Sequence, residues 1–201
     1  MNIITLGKAG IGKTSIINRF VNNRFDDRVI PTIGSVYRFT NMNVYGREFR
    51  LQVVDTAGLE TFKSLPVSYL REANGVLLVF DVTNIQSFER GILPEMIRCI
   101  DRDDKRMILV GNKVDKEDQR KVNRKQAEEF AANLGVLYFE TSAVTGQNIH
   151  KVFEEITKVI YISLDLTNPT VKEVQDPEWR DVVVLRDSPE KETTSSWCTS
   201  C

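Results

Sequence analysis

Residues Gly7 to Thr14 read GKAGIGKT, a full G-x-x-x-x-G-K-[ST] pattern. It follows the apolar run Ile3-Ile4-Thr5-Leu6 and precedes Ile16, Ile17, Phe20 and Val21 at helical spacing. A strand, a glycine loop and a helix in that order leave a chain few folds. The loop aims several backbone N–H groups into one small volume, and the helix dipole adds about half a positive charge there, so a polyphosphate fits. Gly7, Gly10 and Gly12 permit close backbone approach and positive φ. Lys13 offers a point charge to β- and γ-phosphates, and the Thr14 hydroxyl is placed to ligate Mg²⁺. Ala9, Ile11 and Ser15 fall in the same cradle.

Beyond the loop, strands and helices alternate. Tyr37–Val44 and Phe49–Val54 alternate as strands, joined by a turn at Tyr45-Gly46-Arg47. Gly75–Phe80 and Met107–Val110 are continuous apolar runs, the pattern of strands buried on both faces, and Val136–Phe139 is a weaker third. A helix is expected from Asn123, with Gln126 three residues on as in a capping box and Gly135 ending it. Ile149, Val152, Phe153, Ile156, Val159 and Ile160 mark a last helix. After Phe88 the helical pattern is interrupted by Gly91 and Pro94, and an interior proline costs about 3 kcal/mol, so a kink or a restart at Pro94 is expected. The order predicts an α/β fold of the P-loop NTPase type. Its six-stranded, mostly parallel sheet carries about five helices on its two faces, and ligands bind at the strand carboxyl ends.

Four further segments fall at such ends or in loops. Asp55-Thr56-Ala57-Gly58 ends a strand: the Asp55 carboxylate can hold Mg²⁺ through water, and the Gly58 N–H can reach a γ-phosphate because no Cβ intervenes. Asn112-Lys113-Val114-Asp115 ends another. Asp115 can accept from the N1–H and amino group of guanine, two donors that adenine lacks. The backbone N–H groups of Glu140-Thr141-Ser142-Ala143 can meet the guanine O6, which makes Ser142 and Ala143 candidate contacts. Pro31-Thr32-Ile33-Gly34 follows the first helix, and the Thr32 hydroxyl can reach Mg²⁺.

Composition narrows the function classes. Of 201 residues 41% are hydrophobic and 27% charged, as in a globular chain with a core. The net charge of −1 points away from nucleic acid. Cys99, Cys198 and Cys201 have no metal-ligand spacing with the single His150, which fits a reducing compartment. A first strand at about residue 2 leaves no room for a signal peptide. No apolar stretch approaches the roughly 18 residues of a membrane span.

These motifs together resemble the Ras superfamily of small GTPases, and within it the Rab family. Ile33-Gly34-Ser35-Val36-Tyr37 is similar to the family's IGVDF. Thr61-Phe62-Lys63-Ser64-Leu65 through Tyr69-Leu70-Arg71-Glu72-Ala73 is similar to RFRSI…YYRGA, and Val79-Phe80-Asp81-Val82-Thr83-Asn84 to VYDVTN. The likeness covers roughly residues 2–162. It implies a GTP/GDP-binding switch with Mg²⁺ that hydrolyses GTP to GDP and phosphate in vesicle traffic. Lys13, Thr32, Gly58 and the position of Leu59 would carry the chemistry. It implies exchange factors, activating proteins, prenyl-escort or dissociation-inhibitor proteins, and effectors at the switch loops. It also implies a monomer, lipid-anchored on the cytoplasmic face of intracellular membranes with a cytosolic pool. Phe25, seven residues before Thr32, would pack on the guanine ring; alternatively it caps the first helix.

The chain departs from the family at three places. Leu59 stands where the family has the glutamine that orients the attacking water. Leucine has no donor or acceptor, and one lost transition-state hydrogen bond typically costs about 10²–10³ in rate, so slow intrinsic hydrolysis is expected. A natural leucine and an engineered one are both open. By the same resemblance, common Rab activating proteins supply an arginine and a glutamine in trans, so a partner can restore hydrolysis. Val54 stands where tryptophan is usual, and either forms an apolar patch with Tyr37 and Tyr69 or is an interior strand residue.

The third departure is the tail. Residues 1–164 are expected to form the G domain and 165–201 a flexible linker with four basic and eight acidic side chains, a balance of −4. It ends Trp197-Cys198-Thr199-Ser200-Cys201, where Rab tails end in adjacent cysteines or Cys-x-Cys. Lipidation is expected on Cys198 and Cys201; a single prenyl on Cys198 is the other reading, though Thr199 and Ser200 are polar where that box favours aliphatic residues. Val182–Leu185 either docks escort proteins or packs back on the domain. Three functions follow: a Rab-type switch with weak GTPase chemistry, a constitutively GTP-bound membrane recruitment platform, and a small-molecule kinase. The guanine-reading segments argue against the kinase.

Overall fold

The computed structural model describes residues 1–27, 32, 34–56, 72–92 and 106–166. Within them run β1 (Asn2–Leu6), α1 (Lys13–Asn22), β2 (Ser35–Val44), β3 (Arg47–Thr56), β4 (Gly75–Asp81), α2 (Ile85–Glu89), β5 (Met107–Asn112), a 3-10 helix (Val114–Gln119), α3 (Arg124–Leu134), β6 (Leu137–Thr141) and α4 (Ile149–Leu166). The strands form one sheet in the order β2-β3-β1-β4-β5-β6. Every neighbouring pair is parallel except the β2–β3 hairpin. Val44 pairs with Arg47 across a two-residue loop, with Tyr45 at φ 52° and Gly46 at φ 72°, the left-handed pair whose twist matches a hairpin.

The continuous apolar runs have a direct cause: each central strand feeds two cores. Leu77 and Val79 of β4 join Ile16 and Ile17 of α1 and Val152, Phe153, Ile156 and Ile160 of α4 on one face. Val76, Leu78 and Phe80 join Phe88, Ala127 and Ala131 on the other. Residues alternate faces along a strand, so burial on both sides requires apolar side chains at every position. The hairpin obeys the opposite rule. Its outer face is solvated, with Tyr37 40% and Phe39 52% exposed and the Arg50 guanidinium 5.3 Å over the Phe39 ring.

Helix boundaries show their physical causes. The Asn123 side chain caps α3 by accepting from the Lys125 N–H at 2.9 Å, one residue earlier than the Gln126 N–H of a capping box. Gly135 ends it at φ 67°, and the Val136 N–H closes onto the Ala131 carbonyl at 3.0 Å. The helix containing Phe88 stops at Glu89, ahead of Gly91; Pro94 lies outside the described residues. Val54 is 1% exposed and belongs to the second core, so it is an interior strand residue and not part of an exposed patch. Tyr69 lies outside the described residues, as do residues 167–201 with both terminal cysteines.

Candidate functional site

Parallel pairing brings the carboxyl ends of β1, β3, β4, β5 and β6 to one edge of the sheet, and every described candidate residue but Phe25 lies in or beside the turns along that edge or at the start of α1. Gly12 caps α1 in the left-handed region at φ 95°, and a Cβ on it would stand 2.5 Å from Asn112 Nδ2. Gly7 is as confined: its Cβ would meet the Val79 carbonyl at 2.3 Å. Glycine is therefore required at both positions by space as well as by φ. Ile11 is buried, Ser15 half-buried, and Ala9 and Gly10 face solvent. Lys13 is 5% exposed, and its ammonium donates to the Gly7 and Lys8 carbonyls at 2.9 and 2.8 Å, which holds it inside the loop.

Two hydroxyls and a carboxylate meet beside it. Thr14 Oγ1 and Thr32 Oγ1 are 2.9 Å apart, although 18 residues separate them in sequence. Asp55 ends 4% exposed, and its Oδ1 is buried with no hydrogen-bond partner among the described residues. Burial raises the Asp55 carboxyl above its ordinary range; hydrogen bonds from Thr14 and Thr32 and the charges of Lys13 and Arg38 offset this only in part. A buried carboxylate with an unused oxygen, facing two hydroxyls, is an oxygen donor set that suits a hard divalent cation such as Mg²⁺.

The Asn112–Asp115 segment meets the Gly7–Thr14 loop directly, and the Glu140–Ala143 segment joins it through Asn112. Asn112 Nδ2 donates to the Ile11 carbonyl at 2.8 Å, and Thr141 Oγ1 lies 3.3 Å from Asn112 Oδ1. Lys113 takes φ 70° and spans the cleft: its ammonium donates to the Gly10 carbonyl at 2.8 Å and pairs with Asp81 Oδ2 at 2.7 Å. Ser142 Oγ lies 2.5 Å from Asp115 Oδ1 and accepts the Thr145 N–H at 3.1 Å, so the two segments that follow β5 and β6 share one hydroxyl. Ala143 is buried beside them. Phe25 is half-buried and packs against the first core. Gly58 and Leu59 lie outside the described residues.

Several partners escaped sequence reading. Asp81 was visible only as part of a family-like string, and its pairing with Lys113 needed the fold. Arg19, on α1, donates to the carbonyls of Ala143 and Val144, more than 120 residues away. Arg120, at the end of the 3-10 helix, joins Glu117 and Glu140 at 2.7 and 2.8 Å. Hydrogen bonding from Glu117, with help from Glu140, raises the Arg120 guanidinium against the lowering effect of burial. Tyr138 donates to Glu140 at 3.0 Å, and burial first, then that carboxylate, raise its phenol. No local periodicity signals any of these contacts.

The Ras family profile matches residues 2–162. The chain belongs to the Ras family. Among relatives of this small GTPase, the Ras-related protein Rab-27B of Homo sapiens is 39% identical over 173 residues, covering 80% of this chain and 79% of its own. Rab-13 of Bos taurus is 36% identical over 166 residues, with 80% and 79% covered. SEC4 of Candida albicans is 35% identical over 163 residues, with 80% and 77% covered. These place the GTPase in the Rab branch. Proteins of this family bind GTP and GDP with Mg²⁺, hydrolyse GTP and act at intracellular membranes in vesicle traffic. No helix among the described residues of the GTPase is long and apolar enough to cross a membrane.

Proposed function

We propose that this Rab-type GTPase is a GTP-dependent switch of membrane traffic whose own hydrolysis is slow. The observation that carries the binding half is the shared hydroxyl: Asp115 and Ser142, from the loops after β5 and β6, meet at 2.5 Å beside a phosphate loop that Asn112 and Lys113 contact. Lys13 and the N–H groups of residues 9–15 hold the phosphates, Asp115 accepts from the guanine edge, and Phe25 flanks the ring. The Ser142 N–H is spent on the Gln147 carbonyl at 3.2 Å, so the Ala143 N–H is the one that meets O6. Thr14, Thr32 and Asp55 would hold Mg²⁺. When bound, Mg²⁺ offsets the charge that develops on the γ-phosphate.

The hydrolytic half rests on Leu59. Without the glutamine carboxamide no side chain at that position orients water, while Lys13, Thr32 and Gly58 still hold the γ-phosphate. GTP therefore persists, and effectors are recruited through the switch loops, where the exposed Tyr37 and Phe39 lie close by on β2. Exchange factors and activating proteins set the cycle, and the prenylated tail with its escort proteins sets the membrane.

Two measurements test this. Nucleotide extracted from purified protein should be mostly GTP; mostly GDP would remove the case for slow turnover. In competition the protein should reject ATP, and Asp115→Asn should shift preference from GTP toward xanthosine triphosphate by at least about 100-fold, since an acceptor becomes a donor. Equal binding of ATP and GTP by the unaltered protein would overturn the base-site assignment. If GTP does not decay even with an activating protein present, the chain is a constitutive recruitment platform rather than a switch.

A further inference from the structure

Arg19 stands in the last turn of α1, the helix whose first turn carries Lys13 and Thr14. Its Nε donates to the Ala143 carbonyl at 2.8 Å, its Nη2 to the Val144 carbonyl at 2.6 Å, and its Nη1 to the Asn23 carbonyl at 3.1 Å. Nε and Nη2 form one planar edge of the guanidinium, so two successive peptide carbonyls are taken by a rigid fork. An ammonium is a single point and cannot reproduce this. Among the described residues its acceptors are all backbone carbonyls. A cation spent on three carbonyls, with no carboxylate partner among those residues, is a device for fixing backbone.

The fixed backbone is the base loop. The Ser142 carbonyl accepts the Gly146 N–H at 2.8 Å, which sets the peptide plane between Ser142 and Ala143. The Arg19 bond to the Ala143 carbonyl sets the next plane. In a trans peptide the N–H points opposite the carbonyl, so these two bonds fix the directions of the Ala143 and Val144 N–H groups. The Ser142 hydroxyl meanwhile ties the loop to Asp115. Arg19 lies six residues beyond Lys13, roughly 9 Å along a helix at 1.5 Å per residue. The phosphate end and the base end of the site are thus held at a set separation by one helix.

We propose that Arg19 is a positioning residue for guanine recognition, holding the loop Ser142-Ala143-Val144 so that the Ala143 and Val144 N–H groups address O6. This rests on the reading of the Ala143 N–H as a base contact. The specificity of the site then depends on a residue that touches neither base nor phosphate.

The test compares release of GDP and of 6-thio-GDP, which keeps N1–H and the amino group and replaces O6 alone by a poorer acceptor. Release is followed by displacement from the full chain with Mg²⁺, for unaltered protein, Arg19→Gln and Arg19→Lys. Unaltered protein should release 6-thio-GDP about tenfold faster than GDP, the scale of one hydrogen bond. Arg19→Gln should release GDP about tenfold faster than unaltered protein and 6-thio-GDP no more than about twofold faster, which collapses the discrimination. Arg19→Lys, which keeps the charge and lacks the fork, should recover it only in part and serves if Arg19→Gln does not fold. Equal acceleration of both nucleotides would mean general loosening and overturn the positioning role, as would unchanged release. If unaltered protein released the two alike, the base-loop reading itself would fall, and this role with it.

Discussion

Asp55 shows most plainly how one residue can be costly alone and useful in company. Its carboxylate is buried, one oxygen has no hydrogen-bond partner among the described residues, and burial raises its pKa. Such a charge is kept only if something offsets it. A divalent cation does so, and a neutral amide needs none. Chelating Mg²⁺ should therefore speed nucleotide release from the unaltered protein by at least about tenfold and change release from Asp55→Asn by under about threefold. A full chelator response in the variant would show that Asp55 does not serve the cation. Leu59 is the converse case, a position whose chemistry is missing. Leu59→Gln should raise intrinsic single-turnover hydrolysis by at least about tenfold. An unchanged rate would mean that another group positions the water.

Among elements, the 3-10 helix that contains Asp115 and the strand before Ser142 must keep step for those two side chains to meet. Arg120 is their coupling: it is 15% exposed, Glu140 13%, and Tyr138 adds a bond to the same carboxylate. Removing Arg120 takes the counter-charge from the Glu140 carboxylate, at about 2–3 kcal/mol, whereas removing Glu140 leaves Arg120 paired with Glu117. Arg120→Met should lower the melting temperature by about 5–10 °C, and Glu140→Met by less, since Glu117 still holds the guanidinium. The double variant should lose less than the two singles added, by at least about 1 kcal/mol in a thermodynamic cycle. Strict additivity would mean that Arg120 is held by Glu117 alone. Helix ends were legible because caps are local: Asn123 and Gly135 sit within a turn of the groups they satisfy. The reach of this arginine was not legible, since 20 residues separate it from Glu140 and no spacing rule covers them.

For the whole molecule, the proposed lipid anchor makes the charge of the tail matter. One lipid chain holds weakly unless basic residues help, and a balance of −4 is repelled by an anionic leaflet. Stable attachment should need both Cys198 and Cys201. Intact mass from a eukaryotic host should show two prenyl groups, lost in the doubly Cys→Ser protein, which should become fully soluble. No added lipid, with both proteins equally soluble, would end the claim, and one lipid on Cys198 would predict weak, exchanging attachment. At this scale the division between sequence and structure is clear. The glycine turn before α1, the two-sided sheet and the helix ends were legible in the sequence, because each is written in contiguous residues under local rules of φ, periodicity and capping. Only the tertiary fold could show that Val54 is core, that Thr14 meets Thr32, and that Arg19 and Arg120 brace the turns after β5 and β6. Those contacts join residues 18 to 125 apart, or depend on which face of the sheet a helix covers, and neither is written in any one stretch of chain.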